Sequence, residues 1–460
     1  MAFGPFEMVI DFAFAGLLLF VAKLIRSRVK LIQGFYIPSA VIAGFLGLVL
    51  SPQLLGFIPF SDQISSYPFL LIVFLFASLF IGDSDSQGAG IKKIFKTVGD
   101  TFAVNLAVQL FFFGAVLLVG AFLLTVFFPD LHPWFAILTP AGFLGGHGWA
   151  AAIGGAFVDS GWEEAITLGQ TFATIGLLSG LIVGIICINY AIKKGATRFV
   201  STTTHVDDDT RMGFVRAENR EAMGYNTINP MSLDPLSWHI LLILMAFAGG
   251  YFATNFLNSI LPFSLPMMSM AMIFGVLTQV VLKLLKLNQY VDKNVITRIG
   301  SSSTDFLVTF GIASIRISVV VEFAAPIVLM SVFGLLFCLF YLFVVSRRFF
   351  RNFWFERGIF IFGYSTGVVA TGVTLLRVID PEFRSKTLED YGTAYVLIGI
   401  IEIAIISLLP IFVMQGFGFV TGAILLLSAL ILLGICAKIY GLNRDKVNVP
   451  NATEQEVINS

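Results

Sequence analysis

The chain has 460 residues, of which 57% are hydrophobic and only 12% are charged, and its net charge is zero. A soluble globular domain carries about 25% charged residues, whereas runs of about 20 apolar residues, the length of a membrane-spanning helix, recur throughout this chain. The composition therefore excludes a soluble protein and a membrane β-barrel, whose short strands alternate in polarity. The zero net charge gives no indication of nucleic acid as a partner.

The apolar runs predict an all-α polytopic membrane protein. In the first half of the chain we place spans at residues 6–25, 36–57, 67–83, 99–128 and 160–190. In the second half we place them at residues 238–260, 262–282, 303–323, 326–346 and 391–411, with an extra span at 417–437.

Two glycine-rich segments at matching positions of the two halves break this pattern. They read GFLGGHGWAAAIGG at residues 142–155 and FGYSTGVVATG at residues 362–372. Glycine weakens helices and exposes backbone that lipid cannot satisfy, so we predict re-entrant hairpins at residues 134–157 and 358–379, buried inside protein. Paired glycine-interrupted segments of this kind indicate the binding site of a secondary transporter.

The positions of Lys and Arg predict the orientation, because cytoplasmic loops carry an excess of both. Basic clusters follow the first, third, fifth, seventh, ninth and eleventh spans, whereas the loops at residues 58–66, 129–133 and 412–416 contain neither residue. We expect a first membrane repeat at residues 1–194 with its N-terminus outside, and a cytoplasmic linker at 195–236. A second repeat at 237–411, an extra span at 412–448 and a cytoplasmic tail at 449–460 follow.

Five spans per half is an odd number, so the second repeat is predicted to be inverted relative to the first. Short matches occur in the same order in both halves. Ile37-Pro38 precedes Gly47 by the spacing that separates Leu265-Pro266 from Gly275, and Ala77-Ser78 resembles Ala313-Ser314.

The first glycine segment is a candidate anion site. Gly145, Gly146 and Gly148 would let backbone amides approach a ligand just before a short helix, whose positive N-terminal end favours a carboxylate. The alternative is that these glycines only permit close helix packing. His147 is a ligand contact, a proton acceptor or a hydrogen-bonded core residue on this pattern.

Hydroxyl groups near both glycine segments are candidate ligands for Na⁺, a hard cation that prefers oxygen. Gly367 and Thr371 are expected to contact the solute in the second segment. The candidate Na⁺ ligands are Thr171, Thr174, Ser365, Thr366 and Thr374. Ser and Thr also bond back to their own helix, so a purely local role is the alternative for each.

Intramembrane charges are costly and usually face a cavity or a partner. Arg316 lies about thirteen residues into the predicted eighth span, and Glu402 lies near the middle of the tenth. They form a buried salt bridge, or Arg316 clamps a substrate carboxylate while Glu402 is a coupling group.

The segment Gly145-Gly146-His147-Gly148, followed by Ala150-Ala151 and by residues 171–176, resembles the sodium/glutamate symporter family. The stretches at Ile37-Pro38, Leu265-Pro266 and residues 306–316 are similar to that family's second, seventh and eighth spans. The resemblance runs over residues 10–410. It implies an inverted-repeat fold with re-entrant loops, homodimerisation, and Na⁺-coupled uptake of an acidic amino acid across a cell inner membrane.

We therefore expect a secondary active transporter in the lipid bilayer, with Na⁺ as coupling ion, no cofactor, and glutamate or another small carboxylate as solute. The alternatives are an H⁺- or Na⁺-coupled transporter of a different organic anion and, more remotely, a membrane enzyme. An enzyme would need paired carboxylates or a His/Asp cluster, and the four histidines are scattered.

Overall fold

A computed structural model describes residues 4–82, 91–199, 212–220, 222–260, 267–380 and 383–442. The predicted tail at 449–460 and part of the predicted linker lie outside these residues. The described chain is helical and contains no strand. Seven helices within it are long and apolar enough to cross a membrane.

The helices of the first half are α1 (Pro5–Arg28), α2 (Lys30–Gly34), α3 (Ser39–Leu50), α4 (Tyr67–Ser78), α5 (Ile91–Ala115), α6 (Ala121–Phe127), α7 (Leu138–Val158) and α8 (Ala165–Lys193). Those of the second half are α9 (Pro235–Ile260), α10 (Met267–Leu284), α11 (Lys293–Ala313), α12 (Ile317–Glu322), α13 (Ala324–Phe340), α14 (Arg347–Phe349), α15 (Trp354–Thr366), α16 (Val369–Ile379), α17 (Thr387–Met414) and α18 (Gly418–Tyr440). A π-helical turn joins α5 to α6, and another joins α13 to α14.

Most predicted spans overlap a helix, but the eighth was placed wrongly. It was expected at residues 303–323, whereas α11 runs from Lys293 to Ala313. Its first half is polar and was missed because only one face of it, with Ile296, Gly300 and Ser303, is buried against protein. Gly300 lies against the side chains of Leu75 and Ser78 in α4, for example.

The helices pack as two bundles. The first bundle contains α1, α3, α4, α9, α10 and α11, which are the first three spans of each half. The second bundle contains α5, α7, α8, α13, α15, α16, α17 and α18. The bundles meet where α4 and α11 pack against α7 and α8.

Two glycine contacts in the first bundle correspond to each other across the halves. Gly47 in α3 packs against the side chain of Ala313 at the end of α11. Gly275 in α10 packs against the backbone of Ala77 at the end of α4. These four residues are the ones that the sequence matches pair, because Gly47 corresponds to Gly275 and Ala77 to Ala313.

Candidate functional site

The first glycine segment folds back on itself at Gly146. This residue interrupts α7 with a φ of 56° and a ψ of −152°. The rings of Trp134 and Phe157, at the two ends of the segment, stack with their centroids 5.0 Å apart. A straight helix over the same stretch would separate its ends by about 34 Å, so the chain reverses direction at Gly146.

The second glycine segment also folds back. Helices α15 and α16 are separated by Gly367 and Val368, both outside helical geometry. Gly363 in α15 lies against the backbone of Gly372 in α16, and Gly372 lies against the carbonyl oxygen of Phe360. The absence of side chains at Gly363 and Gly372 lets the two arms approach closely.

The tips of the two segments meet. A Cβ atom at Gly146 would lie 2.7 Å from Cγ1 of Val368 and 3.1 Å from the carbonyl oxygen of Gly367. The backbone angles of Gly146 fall in a region that only glycine adopts readily. Both conformation and space therefore require glycine at this tip.

Helix α8 supports both segments with a row of glycines. Gly169 lies against Ala150 of the first segment, and Gly184 lies against Leu375 of the second. Between them, Gly176 contacts the carbonyl oxygen of Thr366, and a Cβ at Gly180 would lie 2.0 Å from the Thr366 hydroxyl. This row explains why the two tips are held at the same level of α8.

Hydrogen bonds fix His147 beside the first tip. Its Nε2 lies 3.0 Å from Oγ1 of Thr174, and its carbonyl oxygen accepts a 3.1 Å bond from Nε2 of Gln170. The Thr174 hydroxyl donates its single proton to the carbonyl oxygen of Gln170 at 2.9 Å. Thr174 must then accept from His147, which places a proton on Nε2 of the imidazole.

Two buried side-chain oxygens near the tips have no hydrogen-bond partner among the described residues. They are Oε1 of Gln170 and Oγ of Ser365, on residues that are 0% and 1% exposed. A Cβ at Gly311 would lie 2.6 Å from the Gln170 oxygen, so this oxygen faces the backbone of α11. Burying an oxygen without a partner costs free energy, and a bound hard cation would supply the partner.

The other predicted ligands lie around the same tips but bond locally. Thr171 donates to the carbonyl oxygen of Thr167 at 2.7 Å, and Thr366 donates to that of Phe362 at 2.9 Å. Thr371 is buried in the first turn of α16, where its hydroxyl oxygen would lie 2.8 Å from a Cβ at Gly367. Thr374 lies one turn further along α16.

The first segment also has a packing reason for its glycines. The Trp149 side chain occupies the space beside Gly145, since a Cβ there would lie 1.7 Å from the indole. Trp149 is 8% exposed and stacks on Phe113 of α5. A Cβ at Gly148 would lie 2.6 Å from Ile72 of α4, so this glycine permits close contact between the bundles.

The sequence predicted Arg316 about thirteen residues into the eighth span, but the structure places it outside a long helix. It is in the short link between α11 and α12, because α11 ends at Ala313. Its Nη2 donates to the carbonyl oxygen of Glu163 at 2.8 Å, and its Nε donates to Oγ1 of Thr167 at 3.3 Å. These bonds place Arg316 at the entrance of a cavity rather than beside the two tips.

Glu402 lies in a separate polar cluster between α5 and α17. It is buried and accepts hydrogen bonds from Nε2 of Gln109 and, at 2.8 Å, from the hydroxyl of Tyr395. The suggested salt bridge between Arg316 and Glu402 is therefore wrong, because the two side chains bind different groups. The rings of Tyr395, Tyr391 and Tyr364 lie in series between Glu402 and the second segment, in tilted contacts with centroids 5.3 and 5.6 Å apart.

A partly buried charge network at the base of the second segment was missed in the sequence. Arg351 binds both carboxylate oxygens of Asp100, at 2.8 and 3.0 Å. Arg357 binds Asp390 at 2.5 Å and donates to the hydroxyl of Thr101 at 2.7 Å. The available signal was the pair of charged residues, at 356 and 357, just before an apolar helix.

Comparison with known proteins identifies a family that matches most of the chain. No curated protein matches the sequence. Among solved structures, a sodium proton antiporter from Methanocaldococcus jannaschii is similar with a TM-score of 0.32 and 18% identity, covering 93% of this chain and 100% of that one. Residues 5–383, which include both glycine segments, match the sodium/glutamate symporter family. The chain belongs to the sodium/glutamate symporter family.

Proposed function

We propose that this Na⁺-coupled, multi-pass membrane transporter carries glutamate or another small carboxylate inward, with its binding site at the two tips. The observation that carries the proposal is the meeting of Gly146 with Gly367 and Val368. Two broken helices that meet inside a protein supply unpaired backbone groups to a solute and its ion. The family membership supports Na⁺ as the coupling ion.

The solute carboxylate would bind at residues 145–148. The arm that begins after Gly146 offers free backbone amides and the positive end of a helix. The proton on Nε2 of His147 gives this side a further donor, now held by Thr174. Gly367 and Thr371 would close the site from the second segment, and Gly145 and Gly148 keep the backbone free of side chains.

Na⁺ would bind to oxygens on both segments and on α8. Gln170 and Ser365 offer the two unpartnered buried oxygens, and Thr366 adds a carbonyl oxygen where Gly176 leaves space. The hydroxyls of Thr171, Thr174 and Thr374 are further ligands in this proposal. A cation would remove the cost of burying these oxygens without partners.

The repeats at residues 1–194 and 237–411 would be related by inversion, with the two glycine segments as re-entrant hairpins from opposite faces. The corresponding contacts of Gly47 with Ala313 and of Gly275 with Ala77 support this relation. The linker at 195–236 and the tail at 449–460 would be cytoplasmic, and residues 412–448 would add a span outside the repeat.

Alternating access would come from movement of the second bundle against the first. The second bundle contains both tips, and the contact between bundles is made by small groups such as Gly148 against Ile72 and Gly311 against Gln170. Homodimerisation and location in a cell inner membrane are part of the same proposal, as the family resemblance implies.

Uptake into proteoliposomes tests the proposal. An inward Na⁺ gradient should accumulate radiolabelled glutamate above its external concentration, and a panel of dicarboxylates and hydroxy acids would identify the preferred solute. Accumulation driven by a proton gradient alone would favour the H⁺-coupled alternative. Equilibration without accumulation of any solute in the panel would contradict coupled transport.

A further inference from the structure

A polar cavity of about 590 Å³ lies between the two bundles at one end of the molecule. The loop between α3 and α4 forms one wall, the start of α8 forms another, and the link around Arg316 forms the third. This loop contains no Lys or Arg, and the basic residues Lys23 and Arg26 lie at the far end of α1. By the positive-inside rule the cavity therefore faces the outside.

The cavity carries charges of both signs. Arg316 lines it, and so do the acidic residues Asp62 and Glu163 and the hydroxyl-bearing residues Ser66 and Thr167. A carboxylate fits the planar guanidinium, while a primary ammonium fits the two carboxylates. An amino acid in its zwitterionic form presents both groups at once.

The floor of the cavity is one helical turn away from the tips. Thr167 lines the cavity, and Gln170 follows it on α8. Ser314 also lines the cavity and donates a hydrogen bond to the carbonyl oxygen of Gly311 at 3.2 Å. Gly311 in turn lies against Gln170 and against the ring of His147. Gln170 and His147, which belong to the proposed site, therefore lie within about one helical turn of residues that line the cavity.

Arg316 also connects the two bundles. It follows α11 of the first bundle, yet its guanidinium binds Glu163 and Thr167 at the start of α8 in the second. A solute carboxylate that binds Arg316 would compete with these two acceptors. Binding in the cavity would thus weaken a bond that holds the bundles together on this face.

We propose that this cavity is an outer vestibule, in which Arg316 and the acidic side chains of Asp62 and Glu163 hold a zwitterionic amino acid before it passes to the tips. The inference rests on the proposed function, since it assigns the path to that same site. Arg316 acts on solutes arriving from outside, and solutes arriving from the cytoplasm reach the tips without it.

Uptake from each face tests this asymmetry. In right-side-out vesicles, Arg316→Ala should raise the KM for glutamate by about tenfold, the effect of losing one charge-assisted hydrogen bond, and Arg316→Lys should raise it less. In inside-out vesicles the KM should stay unchanged. Arg348→Ala, at an exposed arginine of α14, is the matched control and should alter neither value.

An unchanged KM from outside, or an equal rise from both faces, would overturn the vestibule while leaving the proposed function intact. Failure of the wild-type protein to accumulate any carboxylate would instead overturn the proposed function.

Thiol labelling tests the vestibule without transport. The three cysteines are free and buried, so a cysteine-free background can be built by replacing Cys187, Cys338 and Cys436. In it, Ser314→Cys should react with a membrane-impermeant reagent added outside, and glutamate should slow the reaction. Ser232→Cys, in the predicted cytoplasmic linker, should not react. An unreactive Ser314→Cys, or a rate that glutamate leaves unaltered, would contradict the vestibule.

Discussion

The tips of the two glycine segments meet, but glycine is required at each tip for a different reason. In the first, the turn depends on a backbone conformation at Gly146 that only glycine adopts readily. In the second, Gly367 has a negative φ of −152°, and its need for glycine comes from the nearby Leu177 and Thr371 side chains. The first tip therefore requires glycine for its backbone geometry as well as for space, and the second for space alone.

The segments also differ in how their polar groups are satisfied. Around the first tip, His147, Thr174 and the Gln170 amide nitrogen form a connected set of hydrogen bonds. In the second segment, the Ser365 hydroxyl is buried without a partner among the described residues. The first tip therefore has one open oxygen, Oε1 of Gln170, within a connected set of hydrogen bonds, whereas the Ser365 hydroxyl makes no hydrogen bond among the described residues.

Gly146→Ala should have the largest effect. The substitution adds backbone strain of about 1–3 kcal/mol, which corresponds to about 5- to 150-fold, and a contact 2.7 Å from Val368. We expect Na⁺-driven uptake to fall by that factor at equal protein content. Gly416→Ala is the control, because Gly416 also has a positive φ, 85°, but lies in open space between α17 and α18. Equal losses of uptake in both variants would show that backbone strain alone, and not the contact between the two tips, causes the loss.

Gly180→Ala should be the next most severe, and it acts on the second segment. The new methyl group would lie 2.0 Å from the Thr366 hydroxyl and 2.7 Å from its Cβ, so α15 must shift. Overpacking of this kind costs about 1–3 kcal/mol, which thermal unfolding in detergent would record as a lower Tm. Gly169→Ala, which meets Ala150 at 3.1–3.4 Å, should cost less. A larger fall in Tm for Gly169→Ala than for Gly180→Ala would show instead that α8 packs more tightly against the first segment than against the second.

Ser365→Ala and Thr174→Val should differ in thermal stability, because one removes an unpartnered hydroxyl of the second segment and the other a hydrogen bond beside the first. Removing the unpartnered Ser365 hydroxyl should leave stability in Na⁺-free buffer unchanged but reduce the stabilisation that Na⁺ gives. Thr174→Val breaks the bond to His147 and should cost about 1–3 kcal/mol already in Na⁺-free buffer, where Ser365→Ala costs nothing. Thermal unfolding across a Na⁺ titration measures both, and an unaltered Na⁺ response in Ser365→Ala would exclude that hydroxyl as a ligand.

Glu402→Gln should have the smallest effect on Na⁺-driven uptake if coupling depends on the tips. Glutamine has the shape of glutamate and can still accept from Tyr395 or Gln109. We expect a change in KM for Na⁺ of less than about threefold, within the range of a single neutral hydrogen bond. If uptake by this variant no longer depended on Na⁺, Glu402 would be the coupling group, and the ion would bind between α5 and α17 rather than at the tips.

The sequence predicted the two glycine segments because glycine clusters are conspicuous within apolar runs. It also paired Gly47 with Gly275 and Ala77 with Ala313, the residues that make corresponding contacts in the first bundle. These features depend on local composition and spacing, which the sequence contains.

The sequence did not predict the depth of Arg316 or the partners of Glu402. Hydropathy located the apolar end of α11 and overlooked its polar start, of which one face packs against the first bundle. The predicted span was therefore shifted toward Arg316. The network of Asp100, Arg351 and Arg357 joins residues about 250 positions apart, and only tertiary packing brings them together.

Protection of a cysteine at Val368 tests the joint site most directly. Val368 lies at the second tip, against Gly146 of the first, and is half-buried. In the cysteine-free background, we predict that Na⁺ and glutamate together slow alkylation of Val368→Cys in detergent, and that neither suffices alone to the same degree. The same alkylation rate with and without both ligands would contradict a binding site formed by the two tips.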